Sequence, residues 1–341
     1  MNDLRIDEIL VPGYDIAGEK IEQVIETHIS WVLLCRNFVY KVKKPVKLSF
    51  VDFSTLALRK KFCEREIDLN RRLAASMYLK VVSINRGADD PLVLAGDGEV
   101  IEYAVKMKRI DNDFEMRKML KKGKVNEASL IDLAKQVAHF HASIEQIRGV
   151  ATTEDLLGDF SDILQIQDFT IKRLGSEFGD KLEGLVKEAT DFLEGNASAI
   201  ANRSRSGMIR DCHGDLHSGN IFLTDPPIIF DCIEFNDHFR QIDILNEVAF
   251  FCMDLEFYQR QDLAKIFMNA YIDEMQIRFG AFEQRLFLFY KFYRANVKTK
   301  VNAIKSMQEQ KRHDKKDRGS LFEDYFKLMV DYGNQLRPGA R

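Results

Sequence analysis

Three polar residues in the second half of the chain, Asp215, Asn220 and Asp231, are of the types that handle phosphate groups. A carboxylate can orient or deprotonate a hydroxyl group, while an amide and a second carboxylate can hold magnesium on the phosphates of ATP. Magnesium binds a few hard oxygen ligands and keeps some of its waters, so Asn220 and Asp231 would be a sufficient protein contribution. With Asp215 as the base, the three residues suit phosphoryl transfer from ATP.

The segments around these residues predict a hairpin that would bring them together at one end. Two apolar runs, residues 221–223 and 228–230, flank Thr224-Asp225-Pro226-Pro227, which is a strong turn signal. The predicted order is therefore loop, short strand, turn, short strand and acid. Taken singly, Asp215 and Asn220 would each be interpreted as residues that cap backbone groups in a turn. Together with an acid placed after a strand, they favour phosphoryl transfer.

The spacing of Asp215 and Asn220 is that of a protein-kinase catalytic loop. Four residues separate them, as in the D-x-x-x-x-N pattern of that loop. Gly214 stands where protein kinases have Arg, and the resulting His-Gly-Asp resembles the aminoglycoside phosphotransferase and choline kinase branch of the kinase-like fold. Asp231 stands where kinases place the metal-binding Asp of D-F-G, although Cys232-Ile233 replaces Phe-Gly.

Residues 20 to 50 contain three runs typical of strands, at positions 21–27, 31–35 and 38–43. In a kinase-like fold the first turn of this sheet covers the ATP phosphates. That turn would be Thr27-His28-Ile29-Ser30, which has no glycine, so a G-x-G-x-x-G loop is absent. Ser30 and the backbone amides of the turn could still contact phosphate.

Lys41 and Lys43 stand two residues apart in the third of these runs, so both point to one face of the strand. One of them should reach the α- and β-phosphates, and Lys41 is the predicted residue because it follows the apolar run more closely. Lys44 is expected to be a surface charge near the strand end. The helical pattern of residues 55–75 turns Glu66 inward, where it could form the ion pair that orients this lysine.

Three longer segments make the resemblance specific. They are Tyr40-Lys41-Val42-Lys43-Lys44-Pro45-Val46, Phe50-Val51-Asp52-Phe53-Ser54-Thr55 and Glu66-Ile67-Asp68-Leu69-Asn70-Arg71-Arg72-Leu73. They resemble a bacterial group of uncharacterised aminoglycoside-phosphotransferase-like proteins, and the likeness extends over nearly the whole chain. Many members of that group carry a C-terminal P-loop ATPase domain. This sequence has no G-x-x-x-x-G-K-[ST], so we expect the kinase-like part alone.

The resemblance implies an α+β fold with two lobes, as in protein kinases. Residues 1–107 would form a small N-lobe with an antiparallel sheet and one helix, and residues 108–341 a larger, mainly helical C-lobe. Met107 and Lys108 lie where the chain would cross between lobes, at the hinge whose backbone groups bind the adenine edge; a plain linker is the alternative. Asp243 resembles a family residue that braces the catalytic loop, and Glu234 would help to hold metal or face the acceptor.

Composition and charge fit a cytoplasmic protein. The chain has 341 residues, 45% of them hydrophobic and 30% charged, and its net charge of −3 indicates no general affinity for nucleic acids or membranes. Five cysteines without a C-x-x-C pair argue against a disulfide framework or a zinc site. Residues 1–5 lack the features of a signal peptide, and no apolar run is long enough to span a bilayer.

One charge run stands out near the C-terminus. Between Arg294 and Arg318 there are nine Lys or Arg and three Asp or Glu residues, a net charge of +6. Arg294 and Lys298 stand four residues apart on a predicted helix and so share a face. A solvated basic face is the first interpretation, and the alternative is a patch for an acidic substrate, a nucleotide or RNA.

The sequence hypothesis is an ATP- and magnesium-dependent phosphotransferase that acts on a hydroxyl group of a small molecule. Asp215 is the predicted base, Asn220 and Asp231 are the metal ligands, and Lys41 with Glu66 is the phosphate clamp. Two alternatives stay open. One is a kinase for a protein or another macromolecule, against which the missing D-F-G and A-P-E motifs count. The other is a non-catalytic nucleotide-binding scaffold, which would not hydrolyse ATP in the presence of magnesium.

Overall fold

Strands occur mainly before Lys108, and helices make up most of the rest of the chain. The computed structural model describes residues 9–16, 18–48, 50–86, 92–148, 152–311 and 319–337. The strands are β1 (Asp15–Ile16), β2 (Glu19–Lys20), β3 (Gln23–Glu26), β4 (Ser30–Leu34), β5 (Phe38–Lys43), β6 (Lys47–Leu48), β7 (Val51–Asp52), β8 (Tyr78–Arg86), β9 (Leu92–Leu94), β10 (Val100–Lys108), β11 (Ile209–Asp211), β12 (Ile221–Phe222), β13 (Ile228–Ile229) and β14 (Gln241–Asp243). The α-helices are α1 (Leu56–Ala74), α2 (Met116–Lys121), α3 (Glu127–Ser143), α4 (Thr153–Ser161), α5 (Gln167–Leu174), α6 (Ser176–Gly195), α7 (Ala197–Arg205), α8 (Ile244–Phe257), α9 (Gln261–Met275), α10 (Ala281–Lys311) and α11 (Gly319–Leu336).

Contacts within the chain divide it into two compact units. The first contains Met1–Met119 and Gly219–Phe239, and the second contains Leu120–Ser218 and Arg240–Arg341. The chain returns to the first unit at Gly219 because the hairpin of β12 and β13 packs against α1. The single boundary after Met107 that was predicted from the sequence does not include this return.

The first unit is built on an antiparallel sheet with the strand order β3-β4-β5-β10-β8-β9. The three predicted strand runs correspond to β3, β4 and β5 within a few residues. Alternation along β5 places Tyr40 and Val42 in a buried apolar cluster with Ile84. Lys41 and Lys43 occupy the opposite face, where both contact α1. The predicted shared orientation of the two lysines is therefore present.

Helix α1 is tied to the sheet by polar contacts as well as by apolar packing. It begins after Thr55, whose side chain accepts a hydrogen bond from Leu58 N. Arg59 forms a buried ion pair of 2.7 Å with Glu102 of β10, which fixes the helix across the sheet. About two turns further on, Glu66 is completely buried, as its predicted inward orientation requires.

The predicted hairpin after the catalytic-loop motif is present. Strands β12 and β13 are antiparallel, with Ile221 opposite Ile229. The N–H of Phe230 donates to the carbonyl oxygen of Asn220 at 3.0 Å, which extends the pairing by one step. Asn220 and Asp231 therefore lie at the same end of this hairpin.

The second unit is mainly helical. Helix α10 packs against α8 and α11, and α3 packs against α9. Large aromatic side chains fill the space between helices: the rings of Phe192 and Phe289 stack at 4.7 Å, and those of Phe160 and Phe292 lie 4.6 Å apart. Burial of one such side chain stabilises the fold by about 1.5–3 kcal/mol. None of the described helices is long and apolar enough to cross a membrane.

Helix α10 carries the first part of the predicted basic run, and residues 312–318 lie outside the described residues. Arg294 is buried rather than solvated, so the first interpretation of this run is wrong at that position. The reason is that its guanidinium has partners inside the unit, Asn246 Oδ1 at 2.6 Å and Gly214 O at 3.1 Å. All five cysteines are buried, as a small apolar residue would be.

Candidate active site

Lys41 is held between two carboxylates in the first unit. Its Nζ atom lies 2.9 Å from Glu66 Oε1 and donates a hydrogen bond of 2.6 Å to Asp231 Oδ1. The lysine comes from β5, Glu66 from α1, and Asp231 from the segment after β13. Three elements therefore meet at one ammonium group, and the structure brings together three of the residues that the sequence singled out.

Lys43 is more deeply buried on the same face. Its ammonium group donates to Glu66 Oε2 at 2.7 Å and also binds Glu234, and its side chain has no exposure to solvent. Glu66 thus bridges the two lysines, one through each carboxylate oxygen. Asp231, Lys41, Glu66, Lys43 and Glu234 form a row of alternating charges. Glu234 is the ion-pair partner of Lys43, and the metal or acceptor contact suggested for it stays a prediction.

Each cation of the row has two anionic neighbours, and these contacts shift the pKa values of its members. Burial lowers the pKa of Lys41, but the carboxylates of Asp231 and Glu66 outweigh it and hold the pKa well above the ordinary value. Burial likewise opposes a charge on Glu66, yet the two lysines bring its pKa below the ordinary value. Burial raises the pKa of Glu234, which has only Lys43 as a close cation and feels the charge of Glu66. Of the two buried carboxyl groups, Glu234 is therefore the first to bind a proton as the pH falls.

Asp231 is the most exposed carboxylate of the row, with 45% of its side chain accessible. Its φ of 64° lies in the left-handed region that residues other than glycine rarely adopt. The backbone is held in this conformation by Tyr78, whose hydroxyl accepts from Asp231 N at 3.3 Å, and by Asn70, whose Oδ1 accepts from Cys232 N at 2.9 Å. With Asn220 at the same end of the hairpin, the chain offers an amide and a carboxylate oxygen, a donor set that fits magnesium.

The other residues predicted to bind nucleotide lie in the sheet. Ser30 is opposite Lys43 in the β4–β5 pairing, and its buried Oγ atom has no hydrogen-bond partner among the described residues. Met107 and Lys108 are paired residues at the end of β10, so the sheet extends through the predicted hinge. The N–H of Lys108 donates to Met77 O at 2.8 Å. The contacts named for Ser30, Met107 and Lys108 do not involve the charged groups of Asp231, Lys41, Glu66, Lys43 and Glu234. Their nucleotide contacts stay predictions.

Asp215, the predicted base, lies in the second unit. Its Oδ2 atom is 3.4 Å from His217 Nε2, and 33% of the side chain is exposed. Burial raises the pKa of Asp215, but the charges of His217, Lys298 and His213 together outweigh it and hold the pKa well below the ordinary value. The carboxylate is therefore ionised near neutral pH and can accept a hydrogen bond from a hydroxyl group. Its position relative to Asn220 and Asp231 stays a prediction.

Two acids of α8 hold the segment that carries Asp215. Glu247 Oε1 accepts a hydrogen bond of 2.6 Å from Gly214 N, and Asp254 Oδ2 accepts one of 2.8 Å from Ser218 N. Neither residue is among those predicted for the site from the sequence. Glu247 and Asp254 stand seven residues apart in a helix that is otherwise almost entirely apolar, and two acids on one face of such a helix are a signal that could have revealed them.

Asp243 does not brace this segment as the family resemblance implied. Its carboxylate binds Arg203 through hydrogen bonds of 2.6 and 2.8 Å and caps α8 by accepting from Leu245 N at 2.8 Å. Because Asp243 is the N-cap residue of α8, its carboxylate accepts a hydrogen bond from the first turn of that helix. Glu247, one turn later in α8, therefore supplies the contact to Gly214 instead.

A buried group beside this segment has ligand types that metals use. Potential ligand atoms of His141, Cys212 and Glu247 lie within 4.8 Å of one another. Both ring nitrogens of His141 already have partners at 2.7 Å, the hydroxyl of Tyr271 and a carboxylate oxygen of Glu247. We interpret the group as a hydrogen-bonded support for Glu247, since a metal would have to displace one of these contacts.

Comparison with known proteins places the chain among phosphotransferases. A model of the phosphotransferase enzyme family matches residues 63–280. Uncharacterised proteins of Mycobacterium bovis and Mycobacterium tuberculosis are 32% identical over 302 residues, which cover 87% of this chain and 57% of theirs. The chain thus spans little more than half the length of these curated relatives.

Solved structures with a similar fold include kinases for small molecules. Choline kinase from Cryptosporidium parvum has a TM-score of 0.60 at 11% identity, covering 98% of this chain and 95% of that chain. A putative aminoglycoside phosphotransferase from Ralstonia eutropha has a TM-score of 0.54 at 9% identity, with 98% of both chains covered. These likenesses confirm the predicted α+β, protein-kinase-like fold. Because the family model matches well over half of the residues and the mycobacterial relatives are 32% identical, this chain belongs to the phosphotransferase enzyme family.

Proposed function

We propose that this chain is an ATP- and magnesium-dependent phosphotransferase that acts in the cytoplasm on a hydroxyl group of a small molecule. The observation that carries the proposal is the position of Lys41 between Glu66 and Asp231. An ion-paired lysine beside a metal-binding acid is the arrangement with which kinases hold the phosphate donor. The family, and the fold shared with choline kinase and a putative aminoglycoside phosphotransferase, support a small alcohol as acceptor.

Lys41, rather than Lys43, is assigned to the phosphates. Its side chain keeps 13% exposure and its partner Asp231 is open to solvent, so its ammonium group can exchange that partner for a phosphate oxygen. Lys43 has no exposure and is enclosed by Glu66 and Glu234. Lys43 and Glu234 then hold the Glu66 carboxylate in place, and Glu66 in turn orients Lys41.

Asn220 and Asp231 are the residues that would hold magnesium. Both offer hard oxygen atoms at one end of the hairpin, and Asp231 is held in an unusual backbone conformation by Tyr78 and Asn70. When bound, the ion would neutralise charge that develops on the phosphate oxygens. Asp231 is thus the residue of the charged row with two candidate partners, Lys41 and the metal.

Asp215 is assigned to the acceptor. Its carboxylate accepts a hydrogen bond from the acceptor hydroxyl and directs that oxygen at the γ-phosphorus. The new O–P bond forms as the bond from the γ-phosphorus to its bridging oxygen breaks; ADP leaves, and the hydroxyl proton passes to Asp215. The depressed pKa of Asp215 favours orientation of the hydroxyl over early removal of its proton.

The test is a transfer assay with hydroxylated metabolites. The purified chain is incubated with ATP and magnesium and with single small alcohols, and mass spectrometry records products heavier by one phosphoryl group. Acceptor-free ATP hydrolysis is measured in parallel with magnesium and with a chelator in its place. Magnesium-dependent transfer that is lost in Lys41→Met supports the proposal. Absence of both transfer and hydrolysis, with ATP still bound, would instead indicate the nucleotide-binding scaffold.

A further inference from the structure

Lys298 is a cation near Asp215 that forms no ion pair with a carboxylate among the residues that the structure describes. It stands on α10, and its Nζ atom lies 4.9 Å from the centre of the Phe250 ring. Other lysines of this helix are paired: Lys291 binds Glu256 at 3.0 Å, and Lys300 lies 3.6 Å from Asp162. No carboxylate oxygen of the described residues comes within 4.0 Å of the Lys298 ammonium group. Lys298 and His217 contact the same Phe250 ring, and His217 Nε2 lies 3.4 Å from Asp215 Oδ2. The charge of Lys298 is therefore close enough to Asp215 to favour ionisation of that carboxyl group.

The surroundings of Lys298 keep it in place without neutralising it. The Phe250 ring is buried and also contacts Arg294, whose Cζ atom lies 4.8 Å from the ring centre, and His217, whose ring centre is 5.7 Å away. The guanidinium of Arg294 donates hydrogen bonds to Asn246 Oδ1 and to Gly214 O. An aromatic face attracts an ammonium group but carries no net charge. Lys298 is therefore a half-buried positive charge, next to the predicted base, that is available to an anion.

We propose that Lys298 binds a carboxylate or phosphate group of the acceptor molecule beside Asp215. The acceptor would then be an acidic hydroxylated metabolite, such as a sugar acid, a hydroxy acid or a phosphorylated sugar. A polycationic acceptor would be repelled by the same lysine, because a like charge in this partly desolvated position is costly. This inference rests on the proposed function, since Asp215 defines the acceptor side, and it names the class of substrate.

The first experiment measures anion binding without turnover. Sulfate, a probe that does not depend on the shape of the acceptor, is titrated by calorimetry into the wild type, Lys298→Met, Lys298→Arg and Lys300→Met. We expect Lys298→Met to weaken sulfate binding by about tenfold, the loss of one charge-assisted hydrogen bond, and Lys298→Arg to retain it. Lys300→Met is the matched control, a lysine on the same helix that has its own carboxylate partner. Lys41→Met identifies any sulfate bound at the phosphate clamp.

The second experiment compares acceptors that differ only in the charge of one end. Gluconate, sorbitol and glucamine share a polyol chain that ends in a carboxylate, a hydroxymethyl or an aminomethyl group, and glycerate, glycerol and 3-amino-1,2-propanediol repeat the series on a shorter chain. We expect the acidic member of at least one series to bind best, and Lys298→Met to weaken binding of the acidic member far more than binding of the neutral member.

Three results would overturn the inference. Sulfate binding that is absent, or that is equal in Lys298→Met and Lys300→Met, would show that Lys298 binds no anion. Preference for the cationic member would exclude an acidic acceptor. If Lys298→Met lost affinity equally for the acidic and neutral acceptors, the lysine would be assigned to the transferred phosphoryl group instead. Because binding is measured without turnover, a chain that binds anions through Lys298 but transfers no phosphate would contradict the proposed function and leave the anion position standing.

Discussion

The carboxyl group of Asp215 experiences two opposing effects, burial that favours its neutral form and neighbouring cations that favour its charge. The cations prevail, so the residue meets the acceptor as an anion. Asp215→Asn keeps the shape of the side chain and removes this charge. We expect kcat to fall by about 10²–10⁴-fold, the usual contribution of a positioned acid–base group, with MgATP affinity nearly unchanged. Steady-state kinetics and calorimetry measure the two quantities, and near wild-type turnover would refute the assignment.

The pH dependence of the reaction provides a second prediction for the same residue. Without the charge of Lys298, burial is less strongly opposed and the pKa of Asp215 rises. In Lys298→Met the carboxyl group then takes up its proton at a higher pH, so the acidic limb of kcat/KM should move to higher pH. Lys298→Arg preserves the charge and should leave the limb in place. His213 and His217 also face Asp215 and are present in both variants. Identical limbs in all three proteins would mean that Asp215 does not set this limb.

At the scale of elements, β5, α1 and the segment after β13 are joined by buried charges that depend on each other. Lys43 and Glu234 are almost fully enclosed, and removal of one partner of such a pair leaves the other charge without compensation. We expect Lys43→Met and Glu234→Gln each to reduce the free energy of unfolding by about 3–5 kcal/mol, and the double variant to lose much less than the sum. Urea denaturation measures the three values. Additive losses would show that the two side chains act separately.

The ion pair between Lys41 of β5 and Glu66 of α1 leads to a prediction about catalysis. If Glu66 acts only by placing Lys41 on the phosphates, Lys41→Met and Glu66→Gln should reduce kcat/KM similarly, and both together should cost little more than one. Lys43→Met is the control at the neighbouring position of the same face. We expect Lys43→Met to lower the free energy of unfolding, while the kcat/KM of the fraction that remains folded falls only slightly. A severe catalytic loss at Lys43 with a mild one at Lys41 would move the phosphate clamp two positions along the strand.

At the scale of the whole molecule, nucleotide binding should stabilise the folded chain against unfolding. A ligand that binds only the folded state adds about 2.7 kcal/mol at a concentration one hundred times its Kd. We expect MgATP to raise the unfolding midpoint of this chain, and ATP with a chelator to raise it less. In Asp231→Asn the difference between the two conditions should shrink, because an anionic ligand for the ion is lost. An unchanged magnesium effect in Asp231→Asn, measured by thermal unfolding, would count against Asp231 as a ligand.

The sequence by itself determined the local structure and the residues able to perform the chemistry. The two-residue period of β5, the helical pattern of α1 and the turn at 224–227 are local properties, and each predicted its element correctly. The spacing of Asp215 and Asn220, and the position of Asp231 after a strand, needed only neighbours in the chain. For the same reason the inward orientation of Glu66 could be predicted from helical periodicity alone.

Only the tertiary structure decided which partner each charge has. Periodicity assigns a side chain to a face, but the partner on that face comes from a distant part of the chain, as Glu234 does for Lys43. Lys44, expected at the surface, is instead enclosed by contacts to Glu26 Oε1 at 2.5 Å and Thr27 O at 2.6 Å. Lys298 was one charge in a basic run until the fold placed it near Asp215, with no ion-pair partner in the described part of the chain. The burial and pairing that set the charge of these groups depend on long-range packing, which no local pattern contains.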